Sequence, residues 1–278
     1  MCKGFLLTLF VLFCTVTFAQ TPKWKQWETH ADTLLAHEDY AAAIKLYTKV
    51  LKKTQLKDRD AFGVVYKRAI AYYSIQRFQD ALDDLNIFIP EYPQVPQAKL
   101  LRALVHKGLG NSEKQLEDLN AALEFSQGNP GLLKWRASLY LEEEKYDLAK
   151  ADALRARAMQ DDAEVELYLG LAYYNLGQAD SALVHMNQAI EMDATYLPAY
   201  LYAGTFCMEQ EDYERAVKYL NLALRLDPQN VTATMYKGVA LVELDKVDDG
   251  CRCLRKAFYA GEDSAEEYLK EYCYGIEH

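Results

Sequence analysis

Proline and glycine are scarce in this 278-residue chain, at 7 and 13 residues, a composition that excludes collagen-like and low-complexity structure. Long helical runs therefore have room. Catalytic signatures are missing too. There is no Gly-x-Ser-x-Gly elbow, no phosphate-cradling glycine loop, and no serine or cysteine evidently paired with a base. The five histidines, His30, His37, His106, His185 and His278, are scattered, and no His-x-x-x-His or Cys-x-x-Cys pair occurs. No catalytic residue, metal or cofactor is expected. Positive charge is short as well, with 31 Lys and Arg against 41 Asp and Glu, a net charge of −10 and a pI near 5.1. Such a surface repels a nucleic-acid backbone or an anionic membrane as main partner, and no compact Lys/Arg stripe stands out along the sequence.

The apolar run Phe5 to Phe18 falls short of the roughly 18 residues of a spanning helix. It reads as an export signal, with Lys3 before it and the small pair Thr17 and Ala19 at its end. Residues 1–19 are expected to be removed, leaving Gln20 first and placing the chain in the periplasm or medium with no membrane span. Cys14 lies inside the run after bulky Phe13, so lipidation is not expected. Cleavage would also remove Cys2, leaving Cys207, Cys251, Cys253 and Cys273.

What the chain has in quantity is hydrophobic residues (51%) and tyrosine, 21 in all, enough for a substantial core. The clearest pattern runs from Asp212 to Pro228. Tyr213, Ala216, Val217, Leu220, Ala223 and Leu224 recur at steps of three and four and make one stripe down a helix that Asp227-Pro228 stops. Aligning the chain to this stretch places its key small position at Ala43, Ala81, Gln115, Ala149, Ala182, Ala216 and Gly250, at steps of 38, 34, 34, 33, 34 and 34. Seven units follow, spanning about 24–57, 62–95, 96–129, 130–162, 163–196, 197–230 and 231–264. Pro90 and Pro93 are expected to end the second, and Lys99, Ser112 and Gln115 make the third the most degenerate.

Small residues at fixed steps before a proline, at a period near 34, resemble the tetratricopeptide repeat (TPR) pattern. The resemblance implies an all-α fold, a right-handed α-solenoid of about seven helix-turn-helix units over residues 20–264, with 265–278 as a C-terminal capping helix over the exposed end. Tyr268, Leu269, Tyr272 and Ile276 are spaced to pack there. It also implies a non-catalytic scaffold that binds a protein or peptide. In that family the first helix of each unit lines the concave face. Transferred here, the register gives Tyr66, Ile70, Tyr73, Leu100, Leu104, Leu167, Leu171, Tyr174, Leu201, Met208, Met235 and Val239. The lysine and asparagine set of carboxylate-clamp members is absent but for Lys134. A glycan stacked on exposed tyrosines is the alternative ligand, and inter-repeat packing is the competing use of these side chains.

Cys251 and Cys253 lie about 200° apart around a helix, so they cannot both meet Cys273. Cys251, on the face toward the next helix, is the candidate for a bridge to Cys273; three reduced thiols are the alternative. The segment from Gly250 to Cys273 also resembles the ends of exported bacterial proteins of this family, which pair a cysteine in the last repeat with one in the cap.

Overall fold

The computed structural model describes residues 22–56, 59–126 and 128–273. The expected export signal, its expected cleavage point and Ile276 lie outside them. Among the described residues there are fifteen helices and no strand. They are α1 Lys23–Ala36, α2 Tyr40–Thr54, α3 Arg59–Ser74, α4 Phe78–Glu91, α5 Pro96–Gly108, α6 Ser112–Ser126, α7 Pro130–Glu142 and α8 Tyr146–Met159. α9 Ala163–Asn175, α10 Ala179–Met192, α11 Leu197–Glu209, α12 Tyr213–Leu226, α13 Val231–Glu243, α14 Val247–Tyr259 and α15 Ala265–Tyr272 follow. None is long and apolar enough to cross a membrane.

The chain forms two compact units, the first holding α1 to α5 and the second α6 to α15. The division falls between Asn111 and Ser112. Within each unit every helix packs against its successor. Local chemistry sets the helix ends. Asp39, Asn129, Asp162, Asp212 and Asn230 accept from Ala42, Leu132, Val165, Arg215 and Ala233 amides, satisfying donors the first turn leaves open. α4 differs from expectation, because it passes through Pro90 and stops at Glu91. Proline in the last turn forfeits one hydrogen bond without breaking a helix that ends one residue later.

A left-handed residue sits in the turn inside each repeat, at Glu38, Gln76, Gly110, Glu144, Gly177, Glu211 and Asp245, with φ between 58° and 73°. These positions share the spacing of the key small residues. Only Gly110 and Gly177 are glycine, the residue that adopts this conformation without strain. The backbone therefore repeats even where side chains do not.

One core position is solved in two ways. In α3 and α7, Arg68 and Arg136 reach the next helix and grip Asp84 and Asp152 with paired hydrogen bonds of 2.8 and 2.7 Å, and 2.5 and 2.7 Å. Both carboxylates are buried. Each arginine also donates to the preceding repeat, Arg68 to Thr48 and Arg136 to Asn120. In α9, α11 and α13 the same position is Gly170, Gly204 or Gly238. There the residue sixteen further on is Met186, Leu220 or Leu254, seated so closely that a Cβ on the glycine would lie 2.9 Å from it. A buried ion pair gives way to an apolar side chain seated against a glycine.

At the C-terminal end α15 lays Ala265 and Leu269 on α14 and turns Glu266, Glu267, Lys270 and Glu271 to solvent. Cys251 and Cys273 are bridged, with Cα atoms 5.8 Å apart. Cys207 and Cys253 remain free thiols. Cys207 is buried in the second unit, and burial pushes its thiol up to about 11, which keeps it protonated and inert.

Candidate partner-binding groove

The second unit holds an open cavity of about 590 Å³. Its floor is α11, whose Pro198, Leu201, Tyr202, Thr205, Phe206 and Glu209 share one face because they fall at helical steps of three and four. α9 supplies Leu171, Tyr174 and Asn175, and α13 supplies Thr232 and Tyr236. Tyr174 meets Phe206 edge to face, with ring centroids 5.7 Å apart, an arrangement favoured by the aromatic quadrupole. Tyr202 is 46% exposed, so its ring has a face to offer.

Polar chemistry in the cavity is sparse. Asn175 donates its amide to the Leu171 carbonyl, and Thr205 its hydroxyl to the Tyr202 carbonyl. The hydroxyls of Tyr174, Tyr202 and Tyr236 have no hydrogen-bond partner among the described residues, and Glu209 is the one charge in the lining. An apolar, aromatic trough with few engaged polar groups offers surface that apolar side chains could bury. Nothing in this lining resembles a nucleophile with its base.

The residues expected on the concave face divide three ways. Leu171, Tyr174 and Leu201 line the cavity. Leu167, Met235 and Val239 do not: they are at most 8% exposed, inside the core between helices. Met208 is half-buried against core clusters. In the first unit Tyr66 stacks on Phe88 at 5.2 Å and burial raises its phenol, Tyr73 packs against Phe78 at 6.0 Å, and Ile70 joins the same cluster. All three are half-buried against that cluster. Leu100 and Leu104 are half-buried on α5.

Tyr202 and Tyr236 adjoin Leu201 and Met235, and Phe206 lies two residues before Met208, yet nothing in the sequence marks these three as lining residues. α11 and α13 are apolar nearly all round, since they are covered on several sides, and such a helix displays no stripe to show which face stays open. Lys134, the one clamp-like residue, is tied to Asp162 at 2.8 Å and Glu164 at 2.7 Å. Burial works against its charge, but the two carboxylates outweigh that and hold the ammonium above its usual range. It is a structural cation.

Sequence models described as tetratricopeptide repeat match residues 29–96, 66–130 and 173–233, together more than half of the chain. A tetratricopeptide repeat and J domain-containing co-chaperone, DNJ1 of Cryptococcus neoformans, is 33% identical over 125 residues, 43% of this chain and 23% of that protein. The chain thus spans about a quarter of that relative's length. Among solved structures, a tetratricopeptide repeat protein from Parabacteroides merdae superposes with a TM-score of 0.71 at 15% identity, over 89% of this chain and 97% of its own. YrrB, described as a TPR protein with an unusual peptide-binding site, superposes with a TM-score of 0.51 at 20% identity over 67% of this chain and 97% of its own. At these identities the structures speak for the fold alone.

Proposed function

Because this chain belongs to the tetratricopeptide repeat family, we propose that it is a non-catalytic scaffold for protein–protein interaction, with the α9–α11–α13 groove as its docking site. The observation that carries the reading is the groove itself. It is a 590 Å³ trough with aliphatic and aromatic walls, an exposed Tyr202 among them and no convergent polar set. Such a lining favours an extended or helical segment that inserts apolar side chains. A glycan would require several polar groups aimed at one ring, and the amide of Asn175 is already engaged by the backbone.

The chain is also taken to be exported. The N-terminal run after Lys3 supports this, as does the Cys251–Cys273 bridge, because disulfides persist in oxidising compartments.

Pull-down from envelope extract tests both parts, comparing the native chain with Tyr202→Ala/Tyr236→Ala. The expected result is a protein recovered by the native chain and lost at least roughly thirtyfold by the variant, the scale of removing a hot-spot aromatic, while circular dichroism stays unchanged. Intact mass of the recovered bait should begin at Gln20. Equal recovery by both forms would sink the groove assignment. A bait that retains residues 1–19 would sink the export reading. Recovery of nothing by either form, with a hit on a glycan array, would favour the sugar ligand.

A further inference from the structure

Although the chain carries a net charge of −10, its N-terminal helix pair is locally basic. Residues 22–56 contain six lysines against four carboxylates. α2 has no acidic residue, and its Lys45, Lys49, Lys52 and Lys53 are all exposed. At 100° per residue these four fall within an arc of about 100°, on a stretch about 12 Å long. None of them forms an ion pair among the described residues. Lys52 and Lys53 in the last turn complement the helix dipole, but that leaves Lys45 and Lys49 unexplained. The linear sequence hides this stripe, because its members are separated by apolar residues that the helix turns inward.

Two indoles border it. Trp24 and Trp27 on α1 are half-buried, packed against the core of the first unit. Lys49 lies 4.0 Å from the Trp27 ring centroid, Lys23 5.9 Å from the same ring and Lys25 5.1 Å from that of Trp24. Both carboxylates of α1 are paired, and neither pairs with a lysine of α2. Glu28 is buried and bound to both Lys25 and Lys67 at 2.9 Å, and Asp32 to Lys67 at 2.7 Å and the Tyr47 hydroxyl at 2.7 Å. Glu38 and Asp39 sit in the turn before α2, at the opposite end from Lys52 and Lys53.

We propose that this lysine–tryptophan surface of α1 and α2 is a second binding site, one that docks the protein on a membrane bearing anionic lipid headgroups. A plane of spaced negative charges matches four exposed cations along one flank of a helix with indoles beside them, whereas a soluble acidic chain would leave the indoles without a role. Indoles with one polar edge settle at headgroup level, while long lysines extend beyond them to the phosphates. The site acts through local charge, since headgroup attraction falls off within about 8 to 10 Å at physiological salt. It is independent of the groove between α9, α11 and α13.

Vesicle flotation tests it, using phosphatidylcholine vesicles with and without 30% phosphatidylglycerol. The chain is compared with Lys45→Glu/Lys49→Glu/Lys53→Glu and, in case that charge reversal perturbs folding, with Lys45→Gln/Lys49→Gln. Binding is expected only with the anionic lipid and is expected to be lost in 0.5 M salt. The triple variant should bind roughly a hundredfold more weakly and the double variant less so, at a few-fold per lysine. In a Trp135→Phe background, which leaves only Trp24 and Trp27, indole emission should shift to the blue on binding. Equal partition onto neutral vesicles overturns the proposal, as does binding that survives both sets of lysine substitutions. Tighter binding to duplex DNA than to anionic vesicles, with no shift in emission, would overturn it in favour of a soluble polyanion.

Discussion

Replacing Arg68 with alanine is expected to lower the unfolding free energy by about 3 to 5 kcal/mol at pH 7, the scale of breaking a buried ion pair from one side. The loss comes mainly from what stays behind. Asp84 is 3% exposed, and burial already lifts its carboxyl above the usual carboxylate range against the pull of Arg68. Without the guanidinium its folded-state value rises further. A carboxyl whose value is raised on folding imposes no penalty below its unfolded range, near pH 4, and an increasing one as pH climbs through the folded value. The gap between variant and native chain should therefore narrow from pH 7 to pH 5, as urea titrations followed by circular dichroism would show. The repeats themselves supply the rescue. Arg68→Gly/Asp84→Leu copies the pair found at Gly204 and Leu220, and it is expected to return to within about 1 to 2 kcal/mol of the native chain, the helical glycine being the residual cost. A single variant losing less than about 1 kcal/mol, or a double variant no better than the single, would show that the two solutions are not interchangeable.

The second large effect concerns the C-terminal bridge. Cys251→Ser/Cys273→Ser, or reduction with dithiothreitol, is expected to remove about 3 kcal/mol by freeing a loop of this size in the unfolded chain. The loss should be read first at α15. Eight residues are too few for a helix to stand alone in water, and its hold on α14 is a small cluster around Leu254, Leu269 and Ala265. Hydrogen exchange should show protection lost across residues 265–273, and to a lesser degree in α13 and α14, because a repeat array passes instability to its neighbour. Unchanged protection at α15 after reduction would mean that apolar packing alone suffices to hold it.

These two predictions come from different depths of the sequence. The helical angle between Cys251 and Cys253 shows that only one of them can meet Cys273, and the bridge itself forms at Cys251. The arginine–aspartate pairs recur in the sequence, sixteen residues apart, at Arg68 with Asp84 and Arg136 with Asp152. Their burial was not visible, because a charged residue on a helix reads by default as surface.

By itself the sequence determined the repeat. Small residues and helix stops at a 34-residue period fix where helices begin, turn and end, because capping and left-handed turns depend on a few neighbouring residues. The tertiary structure decided which faces remain open. α11 and α13 are apolar around most of their circumference, so only the packing of α9, α10, α12 and α14 against them reveals that Leu167, Met235 and Val239 are enclosed while Tyr202, Phe206 and Tyr236 border a cavity. It also decided that four lysines form a patch in an acidic protein. Net charge is a sum over residues, whereas a surface potential depends on which of those residues the helix brings side by side.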